Sequence, residues 1–249
     1  AFIEQKRDRP FFLYMPHTFP HIPLHSSDQR RGRSPAGLFG DVVEELDQSV
    51  GRVIDALEAS GAGGNTLVVV SSDNGPWFQG SPGALRGRKF DVFEGGMRVP
   101  LIAWGPGVVE GPRVSDEPLV SLDLFPTVLE MLELPPPGDR VLDGRSRLPL
   151  LRGGMPPEAA PVYFHQIDAL RAVRQGRFKY HDRHRVSFGN PMNWFWAPWS
   201  NKGPWLVDLA LDPAESYDAS ERHPEIAARL KGLLEERQRE IEDNPRGWR

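Results

Sequence analysis

The sequence predicts an α/β domain that passes into a smaller unit built from an antiparallel sheet and one helix. Three observations carry this. Residues 66–72 form an apolar, β-branched run (Leu67, Val68, Val69, Val70) with no alternation, the pattern of a strand covered on both faces. Before it, Val42, Val43, Leu46, Val50, Val53, Ile54 and Leu57 recur at helical spacing. After residue 158, short strand candidates lie a few residues apart and end in a single amphipathic helix.

In chain order, residues 1–6 read as the end of an amphipathic helix with no initiating Met, so nothing upstream of Ala1 can be read from this chain. Phe11-Phe12-Leu13-Tyr14-Met15 predicts a buried strand, and the Pro-, His-, Ser- and Arg-rich residues 16–35 a loop. The helix from Asp41 should end at Gly61, a residue suited to the left-handed C-cap position. The 66–72 run is expected as a central strand of a parallel sheet, with a further strand at 99–104. Leu122, Leu124, Phe125, Val128, Leu129 and Leu132 mark another helix. Ser121 or Asp123 would cap it, and Pro126 is acceptable in its first turn.

Pro135-Pro136-Pro137-Gly138, Gly153-Gly154 and Pro156-Pro157 predict a long surface connection and a boundary, giving domains 1–157 and 158–249. Strands are expected at 162–164, 171–174, 177–180 and 206–209, with Gln175-Gly176 as a turn, and a helix over 224–241. There are no internal repeats.

Composition narrows the function. The 249 residues carry a formal charge of −4, which offers no global electrostatic case for nucleic acid or a membrane surface. The basic clusters at residues 30–33 and 181–185 read as solvated loops. Cysteine is absent, which excludes disulfides, thiolate metal sites and a Cys nucleophile within the chain. No run approaches the ~18 apolar residues of a membrane-spanning helix. There is no G-x-S-x-G elbow, no P-loop and no G-x-G-x-x-G after a strand.

The chemistry concentrates at Ser71-Ser72-Asp73-Asn74-Gly75-Pro76. A bare Asp-Asn-Gly is a common hairpin turn. Here it follows an apolar strand, and strand ends in α/β folds are where ligands bind. Asp73 and Asn74 offer adjacent hard oxygen donors, suited to Ca²⁺ or Mg²⁺ rather than zinc. His17, His21 and His25 recur every fourth residue, but Pro16, Pro20 and Pro23 would break the helix needed to bring them together. Lys89 precedes Phe93-Glu94-Gly95-Gly96-Met97-Arg98-Val99-Pro100. The glycines read as backbone requirements, and Arg98 as a partner for a buried carboxylate. Trp77 could wall a pocket. The aromatic-rich stretch with Trp194, Phe195, Trp196, Trp199 and Trp205 reads as a loop packed on the core, with an aromatic platform for substrate as the alternative.

The order and spacing of these pieces resemble the sulfatase family, especially its arylsulfatase branch. The resemblance rests on the strand followed by His21-Ile22-Pro23, Asp73-Asn74-Gly75, Lys89 four residues before the aromatic-Glu-Gly-Gly turn, Gly40 to Asp47, Ser121 to Thr127, Ala172-Val173-Arg174 and Lys179-Tyr180. It implies an alkaline-phosphatase-like α/β sandwich, present in part, and makes residues 1–157 the C-terminal half of its catalytic domain. It implies Asp73 and Asn74 as ligands of Ca²⁺ (alternatively Mg²⁺), Lys89 as a cation on a sulfate oxygen, and His21 as proton donor to the leaving oxygen. The implied substrate is an aryl or carbohydrate sulfate ester, and the implied location periplasmic or secreted. The family's C/S-x-P-x-R segment, which matures to formylglycine, is not in these 249 residues, so the chain alone is expected to be inactive. Two of the family's features differ: Arg88-Lys89-Phe90-Asp91-Val92 stands where Gly-Lys-x-Thr-Thr is usual, and the N-terminal Asp-Asp metal pair is absent. A phosphate or phosphonate monoester hydrolase of the same superfamily, or a non-catalytic scaffold on the fold, are the alternatives.

Overall fold

The helical periodicity of residues 41–57 is realised in α2 (Gly37–Ala59), which buries Val42 and Leu57. Gly61 follows at φ +75°, the left-handed geometry that ends a helix without a Cβ penalty. In this computed structural model the described residues are 2–6, 9–155, 160–182, 184–185 and 201–243. They segregate into two compact units. One comprises Ala1–Ser71, Trp77–Ser81 and Leu101–Pro112; the other comprises Ser72–Pro76, Pro82–Pro100 and Arg113–Arg249.

The first unit holds α1 (Phe2–Lys6), α2, β1 (Val68–Ser71) and β2 (Leu101–Trp104). Asp41, on the first turns of α2, accepts the backbone N–H groups of Gly32, Arg33 and Ser34 at 2.7, 3.0 and 2.8 Å, and so folds the preceding loop onto the helix. Strand β1 pairs with β2 in antiparallel register, Val68 opposite Trp104 and Ser71 opposite Leu101. This corrects the expectation of a parallel neighbour: an apolar run reports that both faces are covered, but carries no information about the direction of the strand beside it. Among the described residues β2 is the partner of β1. Residues 11–15 are also corrected. They form no strand, and Phe12 and Tyr14 are 83% and 75% exposed, because an apolar run becomes a strand only where a ladder partner meets it.

The second unit contains α3 (Glu94–Met97), α4 (Leu124–Met131), α5 (Leu148–Leu151), β3 (Val162–Gln166), β4 (Ala169–Gln175), β5 (Phe178–His181), the short β6 (His184–Arg185) and β7 (Asn201–Lys202), β8 (Trp205–Asp208) and α6 (Pro224–Asp243). Strands β3-β4-β5-β8 form one antiparallel sheet, as the sequence predicts. The period-2 alternation of its strands gives it two covered faces. On one, Leu170, Val173, Tyr180 and Leu206 pack against Leu230 and Leu234 of α6. On the other, Ala172, Phe164, Trp205 and Val207 pack against Val92 and Phe93. The β4–β5 turn places Gly176 at φ +58°.

The connection over 135–160 is not wholly irregular. Leu148 and Leu150 of α5 are buried, and Arg147 pairs with buried Asp123 at 2.9 Å. The 181–185 cluster is not a solvated loop at its start, since His181 ends β5 fully buried.

Candidate functional site

Strand β1 ends at Ser71, and its antiparallel partner begins only at Leu101, so Asp73-Asn74-Gly75 is not a two-residue hairpin turn. The Gly75 N–H donates to the Gly96 carbonyl at 2.8 Å. A Cβ on Gly75 would run into the backbone of Gly95 and Gly96, so this close approach requires glycine. The Lys89 N–H donates to the Pro76 carbonyl at 3.2 Å, and the Gly95 N–H to the Arg86 carbonyl at 2.7 Å. The segments around Asp73, Lys89 and Glu94 are thus knitted together by main-chain hydrogen bonds, all inside the second unit.

Asp73 is exposed, and its Oδ1 accepts the Asn74 N–H at 3.0 Å. The Asn74 Nδ2 donates to the Gly75 carbonyl at 3.0 Å. That bond assigns the amide: its nitrogen is committed to the main chain, and its oxygen is the atom left for a ligand. Asp73 Oδ2 and Asn74 Oδ1 are two hard oxygen donors, which fits part of a Ca²⁺ or Mg²⁺ shell. Among the described residues no group of three His, Cys, Asp or Glu side chains completes such a shell. Lys89 is half-buried, its ammonium 5.7 Å from the centre of the Phe90 ring. Phe90 holds a positive φ of 80°. The turn beneath it is closed by the Asp91 N–H on the Arg88 carbonyl and the Arg88 N–H on the Asp91 carboxylate.

His21 stands in the first unit, in the loop that carries it between Pro20 and Pro23. Its Nδ1 lies 2.8 Å from the Ile22 carbonyl, which can only accept, so Nδ1 carries the proton and Nε2 is the nitrogen free to exchange one. Trp77, also in the first unit, meets Phe78 edge to face at 5.2 Å. Trp194, Phe195, Trp196 and Trp199 lie outside the described residues. Trp205 is not a platform: it is buried in β8 and stacks on the His181 ring at 4.6 Å.

The sequence reading missed the charges beneath the Glu-Gly-Gly turn. Glu94 is paired with Arg174 (2.7 Å) and Lys179 (3.0 Å), both delivered by the sheet, while Arg98, expected to partner a buried carboxylate, is exposed. Glu215 joins them from the loop after β8, 3.4 Å from Lys179 and 2.6 Å from His181 Nε2. Burial pushes the Glu215 carboxyl above its ordinary value, opposed by Lys179 and the Glu94 N–H. A signal existed for β5: in Phe178-Lys179-Tyr180-His181 the aromatic residues face α6, which forces Lys179 and His181 to the opposite, equally covered face.

Comparison with known proteins places the chain in a family. The Sulfatase family model matches residues 1–134. The chain belongs to the sulfatase family. It is 40% identical over 184 residues to the N-acetylgalactosamine-6-sulfatase of Canis lupus familiaris, covering 72% of this chain and 35% of that protein. It is 36% identical over 184 residues to the human steryl-sulfatase, covering 70% and 32%. Among solved structures, the PsFucS1 sulfatase from Pseudoalteromonas sp. superposes with a TM-score of 0.87 at 24% identity, over 98% of this chain and 51% of that one, so the fold is the alkaline-phosphatase-like sulfatase fold, present in part. The phosphonate monoester hydrolase of Agrobacterium radiobacter matches with a TM-score of 0.56 at 26% identity, over 81% and 41%. The chain therefore spans about a third of the first two relatives in these alignments and about half of the sulfatase structure. No helix among the described residues is long and apolar enough to cross a membrane.

Proposed function

We propose that the complete protein is a sulfuric ester hydrolase acting on aryl or carbohydrate sulfate monoesters, and that this chain supplies part of its site. The observation that supports the reading most is the Asp73–Asn74 oxygen pair on a loop locked to the Glu94-Gly95-Gly96 turn, with Lys89 tied by its own N–H to Pro76 in the same unit. Asp73 and Asn74 would hold Ca²⁺, with Mg²⁺ as the alternative. When bound, that cation supplies Lewis-acid contact to the ester oxygens. Lys89 binds a sulfate oxygen and absorbs charge as the S–O bond breaks. His21, protonated, gives its Nε2 proton to the departing oxygen. The nucleophile implied by the family is a formylglycine outside these 249 residues. The same resemblance favours a periplasmic or secreted location.

The test is the complete gene product assayed on matched aryl sulfate, phosphate and phosphonate esters. Sulfate should be preferred, and Lys89→Ala should lower kcat/KM by about 10²–10³-fold, the usual scale for one donor to a developing charge. The likeness to a phosphonate monoester hydrolase favours the second reading, a phosphate or phosphonate ester hydrolase. A preference for those esters would establish it instead. Unchanged kcat/KM in Lys89→Ala would remove Lys89 from the site.

A further inference from the structure

Lys179, Glu215 and His181 have at most 1% of their surface exposed and Glu94 has 3%, yet all four are polar or ionic. Each Glu94 oxygen receives one cation, Oε2 the Arg174 guanidinium and Oε1 the Lys179 ammonium. Lys179 also donates to the Val92 carbonyl at 2.7 Å and lies over the Phe164 ring at 3.9 Å. Glu215 closes the cluster: Oε1 accepts the Glu94 N–H, Oε2 meets His181, and its carbonyl accepts Arg86 Nη1 at 2.8 Å. Burying such a set is no efficient way to gain stability, because desolvation offsets most of the attraction. Attachment of the sheet to the 86–97 segment is already provided by Val92, Phe93, Phe164, Ala172 and Val207. What the ionic groups add is direction. They fix the carbonyl of Val92 and both the carboxylate and the N–H of Glu94, immediately before the two glycines that receive Gly75.

We propose that Lys179, acting with Glu94 and Glu215, is a positioning group for the Asp73–Asn74 oxygen pair and for Lys89. The path is short. Lys179 holds Val92 and Glu94, and Gly96 accepts the Gly75 N–H one residue beyond Asn74. Gly95 ties to Arg86, three residues before Lys89, and Lys89 ties back to Pro76. A sheet remote in sequence thereby sets the spacing between the metal-ligand pair and the sulfate-binding cation. The proposal rests on the functional reading given above for Asp73, Asn74 and Lys89.

The test uses the complete gene product with Lys179→Met, which keeps length and loses charge, and Lys179→Arg, which keeps charge. Three readouts are taken well below the melting temperature: Ca²⁺ affinity by calorimetry, kcat and KM on an aryl sulfate, and amide exchange at Gly75 and Lys89. Lys179→Met should weaken Ca²⁺ binding by about 10-fold or more, the scale of outer-shell substitutions at metal sites. It should lower kcat more than it raises KM and speed exchange at both amides, and Lys179→Arg should recover most of each loss. A Lys179→Met protein that melts earlier but keeps wild-type Ca²⁺ affinity, kcat and exchange overturns the proposal, leaving Lys179 a structural attachment only. If the wild type binds no Ca²⁺, the metal reading fails by itself, and exchange at Gly75 and Lys89 still decides the positioning role. If Lys179→Met does not fold, Glu215→Gln, which keeps shape and removes one charge, takes its place: slower turnover with faster exchange supports the positioning role, and wild-type values of both overturn it.

Discussion

Asp41 shows how one side chain in this molecule organises a loop that sequence patterning describes only as irregular. It accepts three consecutive backbone N–H groups, and those bonds, that of Ser34 first and Gly32 next, hold its carboxyl below the ordinary aspartate value. The sign of the pH effect follows. With a depressed folded pKa, the unfolded chain binds the proton first as pH falls, so the contribution is full above about pH 4, the ordinary aspartate value, and is lost as pH drops through the folded value. Asp41→Asn should lower the melting temperature at neutral pH and flatten its decline as pH falls below about 4, measured by calorimetry across the acid range. At this scale the sequence was legible where the residue type itself dictates a role. Gly61 and Gly176 sit at positive φ where turn chemistry predicts them, and Asp73-Asn74 heads the loop expected after the strand. The pairing of Glu94 with Lys179 and Glu215 was not legible, because partners separated by 85 and 121 residues leave no local pattern, although the alternation in β5 marks the covered face on which Lys179 stands.

Helix α4 carries an element-scale consequence of the same kind. Asp123 stands at its entry, with Oδ2 accepting the Val120 N–H and Arg147 Nε and Oδ1 accepting the Arg145 N–H, the last two from beyond the proline-rich connection. Both charged side chains are nearly buried, at 7% and 3% exposure. Removing the acid strands a buried guanidinium and two backbone donors, whereas removing the base leaves a carboxylate that still accepts two N–H groups. Asp123→Ala should therefore cost about 3–5 kcal/mol, the usual cost of breaking a buried pair, and Arg147→Met clearly less. Denaturant unfolding of the two variants measures the difference, and equal losses would contradict this account. Element types were legible wherever periodicity spoke: α2, α4, α6 and the four-stranded sheet match their expected positions within a few residues. The failures share one cause. Strand direction at β1, the missing ladder at 11–15 and the helix at 148–151 all depend on which neighbour meets the segment, and hydrophobic pattern does not encode the neighbour.

At the scale of the whole molecule, exposed apolar surface and the incomplete site lead to one expectation. Phe12 and Tyr14 are mostly exposed, Ile102 of β2 is 62% exposed, and among the described residues β1–β2 is a two-stranded pair, an arrangement marginal in water by itself. The sulfatase structure with the same fold is about twice as long as this chain's share of it. Apolar faces and strand edges of this kind associate unless something covers them. The 249-residue chain expressed alone should therefore elute as associated species in size-exclusion chromatography. It should also show no turnover of an aryl sulfate even with Ca²⁺, because the proposed roles of Asp73, Asn74, Lys89 and His21 as ligands, cation and acid include no attacking atom. The complete gene product should show both a single species and turnover. Hydrolysis by the purified 249-residue chain that Lys89→Ala abolishes would mean that a residue within it performs the attack, and would overturn the assignment of the nucleophile to a segment outside it.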